Sequence, residues 1–345
     1  MAALHWCEIT ETEIASPDGL DSNHITEATT PALLPAISDK SDEAALPDIR
    51  YLWRVKPHLV SVVIPAYNAM DYIGEQLTAL SSQDYEGALE VIVADNGSTD
   101  GLAAYIANHP STDALSLRLV DASAGRGGGY ARNVGVAASN GDFIAFCDAD
   151  DRVHPSWLSA IVRAAENSDA VGGVVETSSI NSDEVATWRT FTTAQFGSAD
   201  FLPYGITCTF GIWRSAFDKV DGFDLRYVNS GEDIDLCWRL QLAGMTLAHA
   251  PDAVVAYRLR DTYRGTWNQT RAYGIATAQL YSRFRRHGQR RTAPRIVAAT
   301  LLALLLFNPL VPQRICPMPR GKWFVHAGNL VGKVQGSIKY RVLYI

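Results

Sequence analysis

The sequence predicts an α/β fold with a mostly parallel central sheet flanked by helices. Short, largely apolar runs with strand composition alternate with stretches of helical periodicity, and clusters of turn residues separate them. This alternation is typical of parallel strands joined by helices that cover both faces of the sheet. Two of the runs end in acidic residues, Asp95 and Asp148. Because ligands bind beyond the carboxyl ends of parallel strands, we expect both carboxylates to face one cleft.

The first half of the predicted domain contains four strands. In chain order we predict a strand at 59–64, a helix at 71–83, strands at 89–94 and 115–120, a helix that follows the glycine-rich stretch 125–129 and ends at 138, and a strand at 143–147. The strands are nearly continuous apolar runs, which is the pattern of strands buried on both faces.

The second half is less regular. The pattern predicts a helix at 157–165, short strands at 170–177 and 254–259, and a further helix at 234–243. That last helix is preceded by Glu232 and Asp233 and carries Asp235 in its first turn. Acids interact favourably with the positive end of a helix, so these residues serve either the helix terminus or the chemistry of a cleft.

Charge divides the chain into distinct regions. Residues 1–57 carry ten acids before residue 50 and no sustained hydrophobic period, which is typical of a disordered extension. From Arg258 to the end, 16 Lys and Arg residues accompany a single acid, Asp261, although the whole chain has a net charge of -7. A basic segment of this kind favours an anionic partner. Few aromatic residues alternate with its arginines, so a membrane surface is favoured over nucleic acid.

An apolar run near the C-terminus supports the same hypothesis. Ile296–Phe307 has twelve residues, whereas a helix needs about 20 to span a bilayer. Several arginines lie just upstream, and this combination resembles a helix that rests on an anionic leaflet. The segment 283–311 therefore predicts peripheral membrane association. The alternative is a C-terminal helix packed on the catalytic domain.

Cysteine usage and the N-terminus predict a cytoplasmic protein, with the inner face of the plasma membrane as the site of any membrane association. The five cysteines, at positions 7, 147, 208, 237 and 316, show neither CxxC spacing nor the density of a disulfide scaffold. The N-terminus carries acids at 8, 11 and 13 and lacks a basic stretch followed by an apolar run. No signal peptide is therefore predicted.

The acidic cluster at 148–151 is the strongest sign of chemistry. Carboxylates at a strand end can hold a divalent cation that bridges the phosphates of a nucleotide derivative, and a solvated turn is the alternative. The glycine-rich stretch does not complete a GxGxxG sequence, because Tyr130 stands at its last position. Walker A, HExxH and GxSxG sequences do not occur in the chain. Dehydrogenase, P-loop ATPase and serine hydrolase interpretations therefore lose their main support.

Five sequence blocks occur together between residues 58 and 260. They are VSVVIPAYN (60–68), VIVADNGSTDG (91–101), ARNVGVAASNGDFIAFCDADD (131–151), DGFD (221–224) and GEDIDLCWRLQLAG (231–244). In this order and spacing they resemble the family 2 glycosyltransferases, which have the GT-A fold and transfer a sugar from a nucleotide-sugar with inversion. The resemblance implies a GT-A domain at 58–260, divided into a nucleotide-sugar-binding half (58–151) and an acceptor-binding half (152–260). A basic helical region at 261–345 would follow it.

The resemblance also implies a donor site. Asp150 would bind Mn2+ or Mg2+ that bridges the donor diphosphate, and Asp148 would contact the ribose and help to hold the metal. Three further residues match positions that line the base pocket of the family, and Arg132 would lie near the donor phosphates or sugar. The implied nucleotide-sugar site comprises Pro65, Tyr67, Asp95, Arg132 and Asp148.

On the acceptor side, Asp233 matches the base that deprotonates the attacking hydroxyl, and Glu232 would orient the acceptor or support the loop. The family often has a histidine metal ligand near the end of the strand after this helix, but this chain has Val255, Ala256 and Tyr257 there. The expected activity is inverting sugar transfer to an acceptor hydroxyl, such as that of a lipid-linked or cell-envelope glycan intermediate. The alternatives are a catalytically silent relative that binds nucleotide-sugars and a sugar nucleotidyltransferase.

Overall fold

The computed structural model describes residues 56–191, 196–197, 199–312, 314, 316 and 318–345. The predicted acidic extension lies outside the described residues, apart from Lys56 and Pro57. Within the described ranges, eight strands form one sheet and ten α-helices accompany it.

The strands are β1 (Val60–Ala66), β2 (Leu89–Asp95), β3 (Leu117–Asp121), β4 (Phe143–Phe146), β5 (Arg152–Val153), β6 (Ala170–Glu176), β7 (Phe210–Trp213) and β8 (Leu247–Ala256). The helices are α1 (Met70–Ser81), α2 (Leu102–Ala107), α3 (Gly128–Ala138), α4 (Trp157–Ala165), α5 (Asp183–Ala186), α6 (Arg214–Lys219), α7 (Glu232–Leu242), α8 (Tyr263–Phe284), α9 (Pro294–Leu306) and α10 (Arg320–Tyr340).

The sheet is mixed and has the strand order β3-β2-β1-β4-β7-β6-β8-β5. Its first four strands run parallel, as the alternation of strands and helices predicts. Strand β7 runs antiparallel to both β4 and β6, and β8 runs parallel to β6. The α/β prediction is confirmed, and the unpredicted strand β7 joins the regular half of the sheet to the less regular half.

The centre of the sheet fixes the position of the acidic strand ends. Strands β1, β2 and β4 are buried on both faces, which explains their nearly continuous apolar runs. Ala66 of β1 pairs with Asp95 of β2, and Val63 pairs with Phe146 of β4. Asp148 follows Phe146 by two residues and therefore reaches the same edge of the sheet as Asp95.

The two longest helices, α8 and α10, pack against each other through glycines. A Cβ atom on Gly274 of α8 would lie 2.1 Å from the carbonyl oxygen of Asn329, and one on Gly332 of α10 would lie 2.1 Å from that of Arg271. Gly328 and Gly336 also face α8 at distances that leave no room for a side chain. The absence of side chains at these positions lets the two backbones approach closely.

We expect Gly274→Val to lower the free energy of unfolding by about 1–3 kcal/mol, because the added side chain forces two backbones apart. Urea unfolding of the full chain measures this change. Asn268→Val, at an exposed position of the same helix, is the matched control, since asparagine and valine have similar helix propensities. Equal stability of the two variants would contradict close backbone packing at Gly274.

Helix α9 differs from every other helix of eight or more residues in the described part of the chain, because none of its residues is buried. Its contact with α10 includes a hydrogen bond from Nε1 of Trp323 to the carbonyl oxygen of Leu304, at 2.9 Å. None of the described helices combines the length and the hydrophobicity that a bilayer span requires.

Candidate active site

A cleft opens at the carboxyl edge of the sheet, beyond the end of β4, and encloses about 170 Å³. Five of the residues predicted from sequence line it, namely Arg132, Asp148, Asp150, Glu232 and Asp233. They come from α3, from the loop after β4 and from the first turn of α7. Residues that are 100 positions apart in sequence are thus brought into one site.

The guanidinium of Arg132 links the two sides of the cleft. Its Nη2 lies 2.6 Å from Oδ1 of Asp148, and its Nη1 lies 3.2 Å from Oε1 of Glu232. The Arg132 side chain is 5% exposed, so both ion pairs lie at the protected base of the cleft. Burial alone would lower the pKa of Arg132, but the carboxylates of Asp148 and Glu232 raise it, and the guanidinium stays charged.

Contacts on both sides of Arg132 in sequence fix its position in the cleft. Gly127 precedes α3 with a φ of 95°, and a Cβ atom there would lie 2.3 Å from the carbonyl oxygen of Val228. Asn133 donates to the carbonyl oxygen of Phe223 and accepts from its N–H, both at 2.9 Å. The ARN and DGFD sequence blocks therefore hold each other in place.

Asp233 has an elevated pKa at the start of α7. Burial, and secondly the negative charge of Glu232, raise the pKa of Asp233 to about 7. Its Oδ1 accepts a hydrogen bond from the N–H of Ile234 at 2.8 Å. A carboxyl group with this pKa can take up and release a proton near neutral pH, as a general base must.

The acids after β4 form a crowded group. Burial and the nearby Asp148 raise the pKa of Asp150, and burial raises that of Asp151 well above its usual range. Asp151 is buried and accepts a hydrogen bond from the N–H of Arg258 at 2.8 Å. Oδ2 of Asp150 lies 3.2 Å from Nη1 of Arg260.

Asp148 and Asp150 could hold a divalent cation whose coordination is completed by oxygens of the donor. Hard cations such as Mg2+ take carboxylate ligands, and one or two carboxylates with substrate phosphates are a common set. Burial, and secondly the charge of Asp148, raise the pKa of Asp150, so a cation between the two carboxylates would relieve their repulsion. No group of three or more His, Cys, Asp or Glu side chains is arranged to hold a metal ion among the residues that the structure describes. Metal binding would therefore depend on the donor.

The predicted base-pocket residues lie at strand ends of the same sheet edge. Pro65 belongs to β1, Tyr67 follows it with 65% of its surface exposed, and Asp95 ends β2. Oδ1 of Asp95 accepts from the N–H of Ser98 at 2.8 Å, which closes the turn after β2. These three residues are outside the set that lines the cleft, so their role in base binding stays a prediction.

Sequence reasoning missed part of the cleft wall. Arg258 and Arg260 follow β8, just after the positions at which the resemblance implies a histidine, and Gln269 and Tyr273 come from α8. Nε of Arg258 donates to the carbonyl oxygen of Asp150 at 2.7 Å. Two arginines two residues apart at the end of a predicted strand were the signal in the sequence that could have identified this part of the cleft wall. No local signal marks Gln269 or Tyr273, because the packing of α8 brings them to the cleft.

A buried ion-pair network connects α8 to α7 below the cleft. Asp235 is fully buried and accepts from Nε of Arg239 at 2.6 Å and from Nη1 of Arg283. Arg239 also donates to the carbonyl oxygens of Val220 and Gly222. Of the three acids in the first turn of α7, Asp235 thus has a structural role, while Glu232 and Asp233 face the cleft.

Two family models match the chain. The model for glycosyl transferase family 2 matches residues 61–221, and the model for glycosyl transferase family group 2 matches residues 143–327. The second match covers more than half of the chain and extends into α10.

Two relatives and one solved structure illustrate the similarity. The pre-mycofactocin glycosyltransferase of Mycobacterium tuberculosis is 28% identical over 264 residues, which are 72% of this chain and 52% of that protein. The amylovoran biosynthesis glycosyltransferase AmsB of Erwinia amylovora is 28% identical over 58% of this chain and 69% of its own length. The chain thus spans about half the length of the mycobacterial relative.

The mannosyltransferase PcManGT of Pyrobaculum calidifontis, solved with GDP-Man and Mn2+, superposes with a TM-score of 0.59 at 20% identity. The superposition covers 86% of this chain and 90% of that one. At this identity the similarity concerns the fold, and it confirms the GT-A prediction.

Proposed function

Because the chain belongs to the family 2 glycosyltransferases, we propose that it transfers a sugar from a nucleotide-diphosphate-sugar to an acceptor hydroxyl with inversion. The observation that carries this proposal is the Arg132 bridge, which joins Asp148 on the donor side to Glu232, the neighbour of Asp233, on the acceptor side. One cleft thereby combines groups suited to a diphosphate with a carboxylate suited to a base. Both are required for a single displacement at an anomeric carbon.

In the proposed reaction, Asp233 takes the proton from the acceptor hydroxyl as its oxygen attacks the anomeric carbon. The bond from that carbon to the diphosphate breaks on the opposite face, which inverts the configuration. Glu232 holds Arg132 through Oε1, and it would support the loop that carries Asp233 or orient the acceptor. The pKa of Asp233 suits this transfer.

The departing diphosphate gains negative charge, which cationic groups must stabilise. Asp148 and Asp150 would hold Mn2+ or Mg2+, and this cation would neutralise the charge on the leaving diphosphate. Arg260 lies against Asp150 at 3.2 Å and is half exposed, so it can turn towards donor phosphates. Pro65, Tyr67 and Asp95 would hold the base, with the exposed ring of Tyr67 available for stacking.

For the acceptor, we propose a lipid-linked or cell-envelope glycan intermediate. The relative named for amylovoran biosynthesis supports a glycan acceptor. The basic C-terminal region supports a location at the inner face of the plasma membrane. Activity assays distinguish two alternative functions from this proposal. A silent relative would bind donor without turnover, and a nucleotidyltransferase would exchange pyrophosphate.

A thermal-shift screen tests the donor site. The purified chain is incubated with UDP-, GDP- or dTDP-sugars and with Mn2+, Mg2+ or EDTA. We expect one nucleotide to raise the melting temperature in a metal-dependent way. A ligand present at about 100 times its Kd stabilises the folded state by about 2.7 kcal/mol.

Asp150→Asn should remove the metal-dependent part of the shift, because it removes a charged ligand. Asp252→Asn is the matched control, since Asp252 forms only an exposed pair with Arg163. A shift that is identical with metal and with EDTA would contradict the metal site. The absence of a shift with every donor would contradict a donor site that forms in the chain without acceptor or membrane.

A further inference from the structure

Helix α9 presents an unusual surface. The helix has thirteen residues, and the twelve besides Arg295 are apolar, threonine or proline. None of the thirteen is buried. Five leucines in and after the helix are 48% to 93% exposed: Leu301, Leu302, Leu305, Leu306 and Leu310. A cluster of exposed large side chains of this kind marks an interaction site rather than ordinary surface.

The surroundings of α9 are strongly basic. Residues 262–345 contain 14 Lys and Arg and no Asp or Glu. Seven arginines near α9 in sequence are exposed: Arg285, Arg286, Arg290, Arg291, Arg295, Arg314 and Arg320. None of the seven forms an ion pair in the part of the chain that the structure describes. The leucine surface therefore lies within a region of net positive charge, in which Asp200 is an acid beside Arg290: its carbonyl oxygen accepts from the N–H of Arg290 at 3.1 Å.

The segment is nevertheless held to the protein at its start. Gln289 and Thr292, just before α9, are buried, and Nζ of Lys333 on α10 lies 3.4 Å from Oγ1 of Thr292. The indole of Trp323 on α10 bonds to the backbone of Leu304. The exposed leucines thus belong to a positioned helix.

We infer that α9 and the flanking arginines form a docking surface for an anionic lipid bilayer, in which the leucines enter the interface and the arginines meet phosphate headgroups. The helix is about 20 Å long, which is too short to cross the hydrocarbon core. A helix of this composition lies in the plane of the interface.

Charge favours a bilayer over a second copy of the chain. A symmetric dimer brings the same patch of both copies together, so two patches with seven exposed arginines each would lie against one another. Like charges at close range oppose such an interface. An anionic leaflet instead offers complementary charge to all of them.

Co-sedimentation with vesicles tests the inference. The full chain is mixed at low salt with vesicles of phosphatidylcholine, alone or with phosphatidylglycerol. We expect binding to the anionic vesicles that weakens as salt increases, because exposed charges are screened. We also expect little binding to neutral vesicles.

Two combined variants separate the contributions. Arg290→Gln with Arg291→Gln and Arg295→Gln should weaken binding about a hundredfold, since each basic residue near an anionic leaflet contributes roughly fivefold. Leu301→Gln with Leu305→Gln should also weaken it, by removing the inserted side chains. The matched controls, Leu225→Gln with Leu242→Gln and Arg163→Gln, change exposed residues outside this region and should bind as the wild type does.

Absence of binding to anionic vesicles at low salt would overturn the inference, as would equal binding by the combined variants and controls. Sedimentation velocity tests the alternative that a second copy of the chain covers α9. Leucine variants that dissociate a dimer and leave vesicle binding unchanged would assign α9 to that second copy. The inference does not depend on catalysis. Asp233→Asn should bind vesicles normally, so failure of the proposed activity and failure of docking are distinguishable.

Discussion

Asp233→Asn is expected to reduce sugar transfer by roughly a hundred- to ten-thousand-fold, which is the usual contribution of a positioned general base. The amide has the same shape as the carboxylate and can still accept the hydrogen bond from the N–H of Ile234. It cannot take up the acceptor proton at neutral pH. Donor binding should therefore change little while turnover is lost.

Initial-rate measurements of nucleoside diphosphate release, combined with donor titration, check this expectation. Asp252→Asn, on the surface, is the matched control and should keep wild-type turnover. If Asp233→Asn turns over at nearly the wild-type rate, the base is another residue. If it loses donor affinity as well, Asp233 contributes to the donor site.

The pH profile is a second part of the same test. Burial and the charge of Glu232 raise the pKa of Asp233 to about 7, and only the ionised carboxylate acts as base. The rate of the wild type should therefore rise with pH through about 7 and level off above it. The residual rate of Asp233→Asn should lack this step.

Arg132→Met is expected to lower the free energy of unfolding by about 3–5 kcal/mol, the usual cost of removing one partner from a buried ion pair. Arg132 is the cation between Asp148 and Glu232, and its loss leaves both carboxylates without their ion-pair partner. Arg132→Lys should recover little of this, because a single ammonium cannot reproduce the two-sided contact of a guanidinium.

Urea unfolding measures the loss, and a compensating variant identifies its cause. Combining Arg132→Met with Asp148→Asn and Glu232→Gln removes the unpaired charges and should restore much of the stability without restoring transfer. Arg163→Met, which breaks an exposed pair, should cost at most about 1 kcal/mol. A cost for Arg132→Met as small as that of Arg163→Met would show that the bridge contributes little to folding.

The regular half of the fold could be predicted because its elements depend on local pattern. The predicted helix at 157–165 coincides with α4, and the predicted second strand differs from β2 by one residue at its end. Strand β8 was predicted to begin at 254 but begins at Leu247, because pairing with β6 extends it through residues that lack an apolar pattern. Strand β7 has only four residues, and its place between β4 and β6 depends on partners that are distant in sequence, so local pattern did not predict it.

The site divides in a similar way. Arg132, Asp148, Asp150, Glu232 and Asp233 lie in recognisable sequence blocks, and the structure brings them to one cleft. Gln269 and Tyr273 lie on a helix whose contact with the cleft depends on its packing against α10 and on the Arg283–Asp235 pair. No pattern within α8 encodes those contacts. The boundary at 260 between the catalytic domain and the basic region stays a prediction, although residues beyond it line the cleft.

The unbroken course of α8 has a geometric consequence for the substrate. The helix carries Tyr273 at the cleft and ends beside Arg285, with a rise between them of about 18 Å. If the arginines rest on a leaflet, this length of helix α8 sets an upper limit on the height of the reaction centre above the lipid headgroups. A lipid-borne acceptor would then be selected by reach, since its hydroxyl must extend far enough from the bilayer to meet Asp233.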